Sequence, residues 1–439
     1  MEQLNVGILG WGTVGCGVIE ILQSHREEIK KRLGRELVLK KVADIDLERP
    51  RPVSLPREIL TRDAKAVIED PDIDIVVELI GGIEPARSFI MKALERGKHV
   101  VTANKALLAH HGNELFDFAR KHQRIIAYEA SVAGGIPFIK SLREGLAANN
   151  IDTVFGILNG TANFILTRMR ESGLTFQEAL KEAQSRGYAE ADPRLDIEGI
   201  DTAHKLAITA AIAFNMSIVF DSIYVEGISG IDPLDIQFGE EFGYVLKLLA
   251  IARLGEGGVE LRVHPTFIPS GHVLAGVRGA YNAVHVHGDA VGHVMLYGLG
   301  AGMMPTGSAV VADLMDLARD IAQGIHCRLP ALGSYELNPI PVKPMDEVVT
   351  CYYFRFSAVD QPGVLSKISG ILGRNNISIS AVIQKGRHIG GAVPIVMVTH
   401  EAVESSVRRA IEEIDRLDVV RAKTQLIRIE NLPVNYSEV

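Results

Sequence analysis

The chain has 439 residues, which at about 150 residues per domain points to roughly three domains, each able to bury a core. Its 54 acidic side chains exceed the 46 basic ones, for a formal net charge of -8, and that balance argues against nucleic acid or an anionic membrane as the main partner. With 47% hydrophobic and 23% charged residues, the composition excludes disorder or fibre as the whole-chain state and suits a globular protein that handles small molecules.

Residues 4–130 alternate short apolar runs with helical stretches: NVGIL, then 14–33, LVLKKVADID, DIDIVVELIG, 84–96, HVVTAN and RIIAYEA. Strands alternating with helices predict βαβ units and an α/β domain, a Rossmann-like doubly wound parallel sheet over 1–130. At its start Gly10, Gly12 and Gly15 stand in GxGxxG register, with Thr13 and Val14 between them, directly after an apolar strand and opening a helix. The first glycine makes the turn, the second lets a pyrophosphate approach the backbone, and the third allows close helix packing, with the anion at the helix N-terminus. Asp44 and Asp46 compete for the ribose hydroxyls; Asp44 lies farther along than the usual spacing of about 20 residues. Arg49, Arg51 and Arg57 follow; they could neutralise a 2'-phosphate, although as a charge run they read as a solvated face. NAD and NADP both stay open. Lys105 follows the strand HVVTAN at the carboxyl edge of the sheet, where a cation near a nicotinamide could polarise a carbonyl.

Residues 131–302 change to long helices, 176–186 and 202–215, and then strand-like AVHVHGDA and HVMLYGLG, which predicts a separate α+β substrate, catalytic and dimerisation domain. Within GYAEADPRLDIEGIDTAHKLAITAAIAF, the carboxylates Glu190, Asp192, Asp196, Glu198 and Asp201 precede Lys205. Asp201 and Lys205 are spaced i, i+4, a pair worth about 0.3 to 0.5 kcal/mol on an exposed helix. The helix continues apolar on most faces, however, so it is buried and its first charges must meet partners or line a cavity. Carboxylates there suit the ammonium of an amino-acid substrate, and Lys205 held by Asp201 suits proton transfer to a developing alkoxide. A magnesium site would leave Lys205 without a role. The apolar stretch 206–220 is interrupted by Asn215 and is too short to span a bilayer. His285, His287 and His293 lack a clear further ligand for zinc. The run 308–325 reads as a helix returning to the first domain, which 303–326 would complete.

Cys16, Cys327 and Cys351 are scattered, and the opening MEQLNVGILG lacks the basic segment and apolar core of a signal peptide; both point to a reducing, cytoplasmic setting. Thiol-based covalent catalysis is not expected. Residues 327–348 carry Pro330, Pro339, Pro341 and Pro344 and read as an extended linker. Residues 349–430 then give βαββαβ, a ferredoxin-like module. Its turn from Asp360 through Gly363 to Val364 opens a helix whose free N–H groups can hold an amino-acid carboxylate, with Asn376 at the far end.

Taken together, VGILGWGTVG, VVELIGG, VTANKALLA, YEASVAGGIPFIKSLREGL, GILNGTANFILTRM, GYAEADPRLDIEGIDTAHKLAI and GAGMMPTGSAVVADL resemble homoserine dehydrogenase over residues 5–325. FSAVDQPGVLSKISGILGRNNISI resembles an ACT domain, an amino-acid-sensing fold. The resemblance implies reversible NAD(P)H-dependent reduction of L-aspartate 4-semialdehyde to L-homoserine, in threonine, methionine and isoleucine biosynthesis. It implies Lys205 as proton donor, Lys105 as a second lysine at nicotinamide and substrate, Asp201 as the residue orienting Lys205, and Glu190 and Asp196 as holders of the substrate ammonium. Gly187 and Gly302 match positions near the cofactor. Glu129, Val132, Gly134 and Ile136 match a loop that binds Na+ or K+ through backbone carbonyls. Family members preferring NADP commonly carry a basic residue where this chain has Ala43, so NAD or dual use is expected. Feedback by L-threonine at the ACT module and a homodimer or homotetramer complete the expectation. The competing readings are another nicotinamide-linked amino-acid oxidoreductase and a non-catalytic, cofactor-gated amino-acid sensor.

Overall fold

A computed structural model of the chain describes residues 3–385 and 392–432. They group into two compact units, one of residues 3–160, Ile200–Ile223 and Ala280–Ile340, the other of Thr161–Gly199, Tyr224–Gly279 and the described residues of 341–432.

The first unit holds an all-parallel sheet of β1 (Gln3–Leu9), β2 (Glu36–Ala43), β3 (Leu60–Thr61), β4 (Ile75–Glu78), β5 (His99–Thr102) and β6 (Ile126–Ala127) in the order β3-β2-β1-β4-β5-β6. Strands β4 and β5 are buried along their whole length, as helices on both faces of a parallel sheet require, and this is why they read as continuous apolar runs rather than alternating ones. The strand order reverses between β1 and β4, so the carboxyl ends of these strands flank the crevice where doubly wound proteins bind ligands. The helix Met303–Ala322 returns to this sheet. It lies so close to the helix Thr13–Ser24 that a Cβ on Gly17 would stand 1.9 Å from the Met303 carbonyl oxygen, and Val310, Leu314 and Leu317 join Ile8, Val18 and Ile19 in one core. In the same unit Tyr281–Gly288 pairs antiparallel with both Ile151–Ile157 and Gly292–Leu299. His287 Nδ1 lies 2.7 Å from Asp152 Oδ2 and His285 stacks on His293. Among the described residues no group of three or more His, Cys, Asp or Glu side chains is arranged to hold a metal.

In the second unit Tyr244–Gly255 and Gly258–Pro269 form a long antiparallel hairpin, with Tyr224–Val225 parallel to the second strand. The C-terminal module has the predicted order: strand Val349–Val359, helix Val364–Arg374, strands Ile379–Gln384 and Ala392–Thr399, helix Glu404–Asp415 and strand Val420–Ile429. Tyr352, Phe354, Phe356, Ile368, Leu372, Met397, Val407 and Ile414 form its core. Its last strand pairs with Val349–Val359 on one side and, on the other, runs parallel to Gly258–Pro269 through Thr266 with Arg428 and Phe267 with Ile429. The proline-rich stretch before the module is held rather than loose: Val259 N donates to Pro341 O at 2.9 Å, and Lys343 N to Val259 O at 2.9 Å. Among the described residues no helix is long and apolar enough to cross a membrane.

Gly17→Ala tests the close helix contact, because the added methyl must push against backbone. It is expected to cost about 1–3 kcal/mol, read as a lower thermal midpoint, whereas Gly145→Ala, where a Cβ meets nothing within 4 Å, leaves the midpoint unchanged or raised.

Candidate active site

At the glycine turn, Gly10 sits at φ +104, where a Cβ would meet the Leu79 carbonyl oxygen at 2.7 Å, and a Cβ on Gly15 would lie 2.3 Å from the Gly10 oxygen. Both positions therefore demand glycine. Over Gly12 nothing lies within 4 Å, and no side chain caps the helix that Gly12 introduces. Open space above uncapped amides, with Thr13 exposed and Val14 half-buried, fits a pyrophosphate. Asp44 closes this turn: Oδ2 accepts from Trp11 N at 2.6 Å and Oδ1 from Asp46 N at 2.9 Å. Asp46 instead caps its own exposed turn, accepting from Glu48 N and Arg49 N. Arg51 corrects the reading of its charge run as solvated. Its side chain is 6% exposed, 3.4 Å from Asp44, with its guanidinium 4.3 Å from the Trp11 ring centroid, because an indole face and a carboxylate together offer a cation more than water does.

Strand β5 delivers Lys105. Asn104 caps the helix Lys105–Lys121 by accepting from Leu107 N at 3.1 Å, and its amide donates to Gly82 O at 2.7 Å. Beneath it Thr102 Oγ1 donates to Glu78 Oε2 at 2.7 Å, while Glu78 Oε1 accepts from Ile80 N and Gly81 N. The wholly buried Glu78 thus ties the carboxyl ends of β4 and β5 into one edge. Sequence reasoning missed this support; the available signal was a lone carboxylate closing the apolar run IVVE.

Every residue of the helix Ile200–Ala213 from Asp201 onward is buried, as its apolar faces predicted. Lys205 Nζ donates to Asp201 Oδ2 at 2.7 Å and to Leu158 O at 2.6 Å. Asn159 Nδ2 donates to the same Asp201 oxygen at 2.9 Å. The other oxygen, Oδ1, lies 3.0 Å from Lys105 Nζ. Asp201 therefore joins the two lysines, Lys205 with a side chain 10% exposed and Lys105 at 42%. The bland account of an exposed i, i+4 pair fails here. Burial by itself would raise the Asp201 carboxyl, but the ammonium groups of Lys205 and Lys105 and the hydrogen bonds from Lys205 and Asn159 hold it well below the usual carboxylate range. It stays ionised, and the arrangement can hold a proton on a buried amine beside a second, more accessible cation. Asn159 was also missed; it lies in the quoted run GILNGTANF but carried no spacing signal of its own.

His204, beside Lys205, packs in a trio with His110 and Phe220, at ring centroid distances of 5.4 and 4.7 Å. Burial, and then the neighbouring His110, push it down to about 4, so the imidazole adds no positive charge next to the lysines near neutral pH.

The remaining predicted residues are placed as follows. Gly302 (φ +133) introduces the helix Met303–Ala322, whose first residue meets Gly17. The Glu129 carboxylate is buried and accepts from Ile139 N and Lys140 N at 2.9 and 2.8 Å. Val132 and Gly134 are buried beside it, as is Ile136, and Gly134 packs on the Gly300 carbonyl. In the second unit Gly187 (φ +75) follows the helix Phe176–Ser185 with open space where a Cβ would stand. Glu190 is exposed and Asp196 half-buried in the turn Arg194–Ile197. Asp192 pairs with Arg194 at the surface. In the C-terminal module Gly363 (φ +86) introduces the helix Val364–Arg374 without a side-chain cap; Asp360 is half-buried and Asn376 adopts φ +58.

A parallel nucleotide-binding sheet with a glycine turn, and a buried lysine held by a carboxylate that also reaches a second lysine at the sheet's carboxyl edge, together define an NAD(P)-dependent oxidoreductase. Comparison with known proteins narrows this. Residues 10–129 match the model of the homoserine dehydrogenase NAD-binding domain, residues 137–315 that of homoserine dehydrogenase, and residues 352–418 that of the ACT domain. The homoserine dehydrogenases of Neisseria gonorrhoeae and Pseudomonas aeruginosa are 47% and 48% identical to it, each over 98% of this chain and 100% of its own length. The crystal structure of a homoserine dehydrogenase from Thiobacillus denitrificans superposes with a TM-score of 0.93 at 49% identity, covering 98% of this chain and 99% of that one. A hyperthermophilic archaeal homoserine dehydrogenase in complex with NADPH matches at a TM-score of 0.60 and 26% identity, over 72% of this chain and 97% of that one. The chain belongs to the homoserine dehydrogenase family and carries a C-terminal ACT domain.

The histidines set an acid limit. His99 and His204 are both lowered by burial to about 4, below the unfolded value of about 6.5. The unfolded chain therefore binds more protons between those values, and stability falls as pH drops through that window. Asp201, depressed by its lysines, contributes stability that is fully present above about pH 4 and is lost only at lower pH. His204→Phe, which keeps a ring in the trio, is expected to flatten the dependence of unfolding free energy on pH between 6.5 and 4 by about one proton, measured by denaturant titration. An unchanged slope would contradict a buried neutral imidazole.

Proposed function

We propose that this chain reversibly reduces L-aspartate 4-semialdehyde to L-homoserine with NAD(P)H, in threonine, methionine and isoleucine biosynthesis. The observation that carries this reading is the bridge of Asp201 between Lys205 and Lys105. When bound, the nicotinamide supplies the hydride. Lys205 keeps its proton at Nζ through Asp201 and the Leu158 carbonyl, and passes it to the aldehyde oxygen as that oxygen gains charge. Lys105, the more exposed amine, polarises the carbonyl. Glu190 and Asp196 hold the substrate ammonium, the recognition expected for an amino-acid aldehyde. Gly10, Gly12, Thr13, Val14 and Gly15 hold the pyrophosphate, with Gly187 and Gly302 near the cofactor.

Asp44 suits ribose hydroxyls and Arg51 beside it suits a 2'-phosphate, so with Ala43 in place of a basic residue both NAD and NADP serve. By role, 1–130 with 303–326 binds the dinucleotide, 131–302 serves substrate and dimerisation, and 349–430 senses an amino acid, after the linker 327–348. A structural Na+ or K+ would be held by the carbonyls of Glu129, Val132, Gly134 and Ile136, since the Glu129 carboxylate already serves two amides. Asp360, Gly363, Val364 and Asn376 would take L-threonine as a feedback effector. The protein works in the cytoplasm as a homodimer or homotetramer, without nucleic acid or membrane.

Absorbance of NADH and NADPH, followed separately with aspartate semialdehyde, tests the activity; no oxidation of either would reject it. Lys205→Ala is expected to lower kcat by about 10²–10⁴-fold while NADPH binding, followed by fluorescence, is kept. Wild-type turnover in that variant would remove Lys205 from the chemistry. Titration of L-threonine into the full-length enzyme is expected to release or absorb heat and to lower the rate; neither effect would leave the ACT module without this effector.

A further inference from the structure

The last strand of the ACT module carries a buried cation that the proposed chemistry does not use. Arg428 is 2% exposed. Its Nε donates to Glu404 Oε2 at 2.9 Å within the module. Nη1 donates to Glu226 Oε2 at 2.8 Å and Nη2 to the Tyr224 hydroxyl at 3.2 Å, and the guanidinium lies 5.0 Å from the Tyr224 ring centroid. The Tyr224 hydroxyl donates to the same Glu226 oxygen at 3.0 Å. A guanidinium this buried is held only by paired and hydrogen-bonded partners, so the position of Glu226 and that of the strand Val420–Ile429 are tied together.

Glu226 in turn begins the segment against which the substrate-binding turn rests. Its N–H donates to Val263 O at 2.8 Å, and Ile228 N donates to Ile197 O at 2.8 Å. A Cβ on the intervening Gly227 would lie 2.5 Å from the Ile197 oxygen and 2.6 Å from Glu198 Cα, and one on Gly199 would touch Val225 and Val263 at 3.2 Å each. The backbone of 197–199 is thus seated on 225–228 with no room for a methyl group, and Asp196 is the residue immediately before it.

We infer that Arg428 is a positioning residue for the substrate: through Glu226 it fixes the 197–199 backbone and hence the Asp196 carboxylate, which makes the ACT module's final strand part of the support of the ammonium subsite. The inference rests on the reading of Asp196 as a holder of that ammonium. Placement matters on a scale of about 0.5 Å for such a contact, and a displacement of the strand reaches Asp196 through two contacts.

The test is the separation of kinetic constants in Glu226→Ala, with Glu226→Gln as the conservative variant whose amide oxygen still accepts from Arg428. Glu226→Ala is expected to raise the KM for L-homoserine on the order of fivefold, with kcat within about twofold and the KM for the coenzyme unchanged; Glu226→Gln restores the homoserine KM. A wild-type homoserine KM in Glu226→Ala, or an equal rise in both KM values, overturns the inference. If Glu226→Ala does not fold, Tyr224→Phe decides: a smaller rise in homoserine KM supports it and no change overturns it. Asp196→Asn run in parallel separates the two readings. An unchanged homoserine KM there means Asp196 does not hold the ammonium, whereas a rise there without one in the Glu226 and Tyr224 variants removes the inference alone.

Discussion

Two ammonium groups within reach of one buried helix start repel each other and lose hydration, and what makes the arrangement stable is the carboxylate between them. Asp201 gives one oxygen to each lysine and takes a further hydrogen bond from Asn159. Its ionisation is the condition for everything around it. Removing the carboxylate, as in Asp201→Ala, would take from the buried Lys205 both its countercharge and the hydrogen bond to Oδ2, and stripping one partner from a buried ion pair typically costs about 3–5 kcal/mol. In the reaction proposed for this chain, the same pairing would keep the Lys205 proton in place until an oxygen with growing negative charge competes for it. Stability of the helix start and the proposed proton-donor chemistry would then share a single cause.

That cause was half visible in the sequence. The i, i+4 spacing of Asp201 and Lys205 on a helix apolar all round is a local pattern, and local patterns survive in one dimension. The glycine turn, the run of βαβ units and the βαββαβ order of the final module were readable for the same reason, since each rests on a short period or a turn residue with few alternatives. Lys105 was placed at the sheet edge by its strand, but its meeting with Asp201 was not, because nothing in the spacing of residues 105 and 201 encodes which helices face each other. Asn159 and Glu78 escaped notice as single polar residues at strand ends. Arg51 was assigned to solvent because a charge run usually lies there; what overrode the rule was the face of Trp11, distant along the chain, together with the nearby Asp44.

The C-terminal module shows the same division. Its internal order was legible, whereas its attachment was not. Asp235, wholly buried, accepts from Arg355 Nε at 2.6 Å and from the Tyr353 hydroxyl at 3.0 Å. Arg262, 1% exposed, is paired with Glu430 at 2.6 Å, and Arg253 reaches the other Glu430 oxygen at 2.7 Å. Ion pairs of this kind add little net stability over apolar packing, but they tolerate few wrong partners. They fix which residues of the module face the hairpin and in what register.

The parallel pairing of Val420–Ile429 with Gly258–Pro269 also has an evolutionary side. A chain cut short before this strand would lose more than part of the ACT domain, for the hairpin's rim at Thr266 and Phe267 would be left with unpaired amides and carbonyls, the kind of margin on which other polypeptides accrete. Loss or exchange of the appendage is thus coupled to solubility, and a lineage that discards it must first find another cover for that rim.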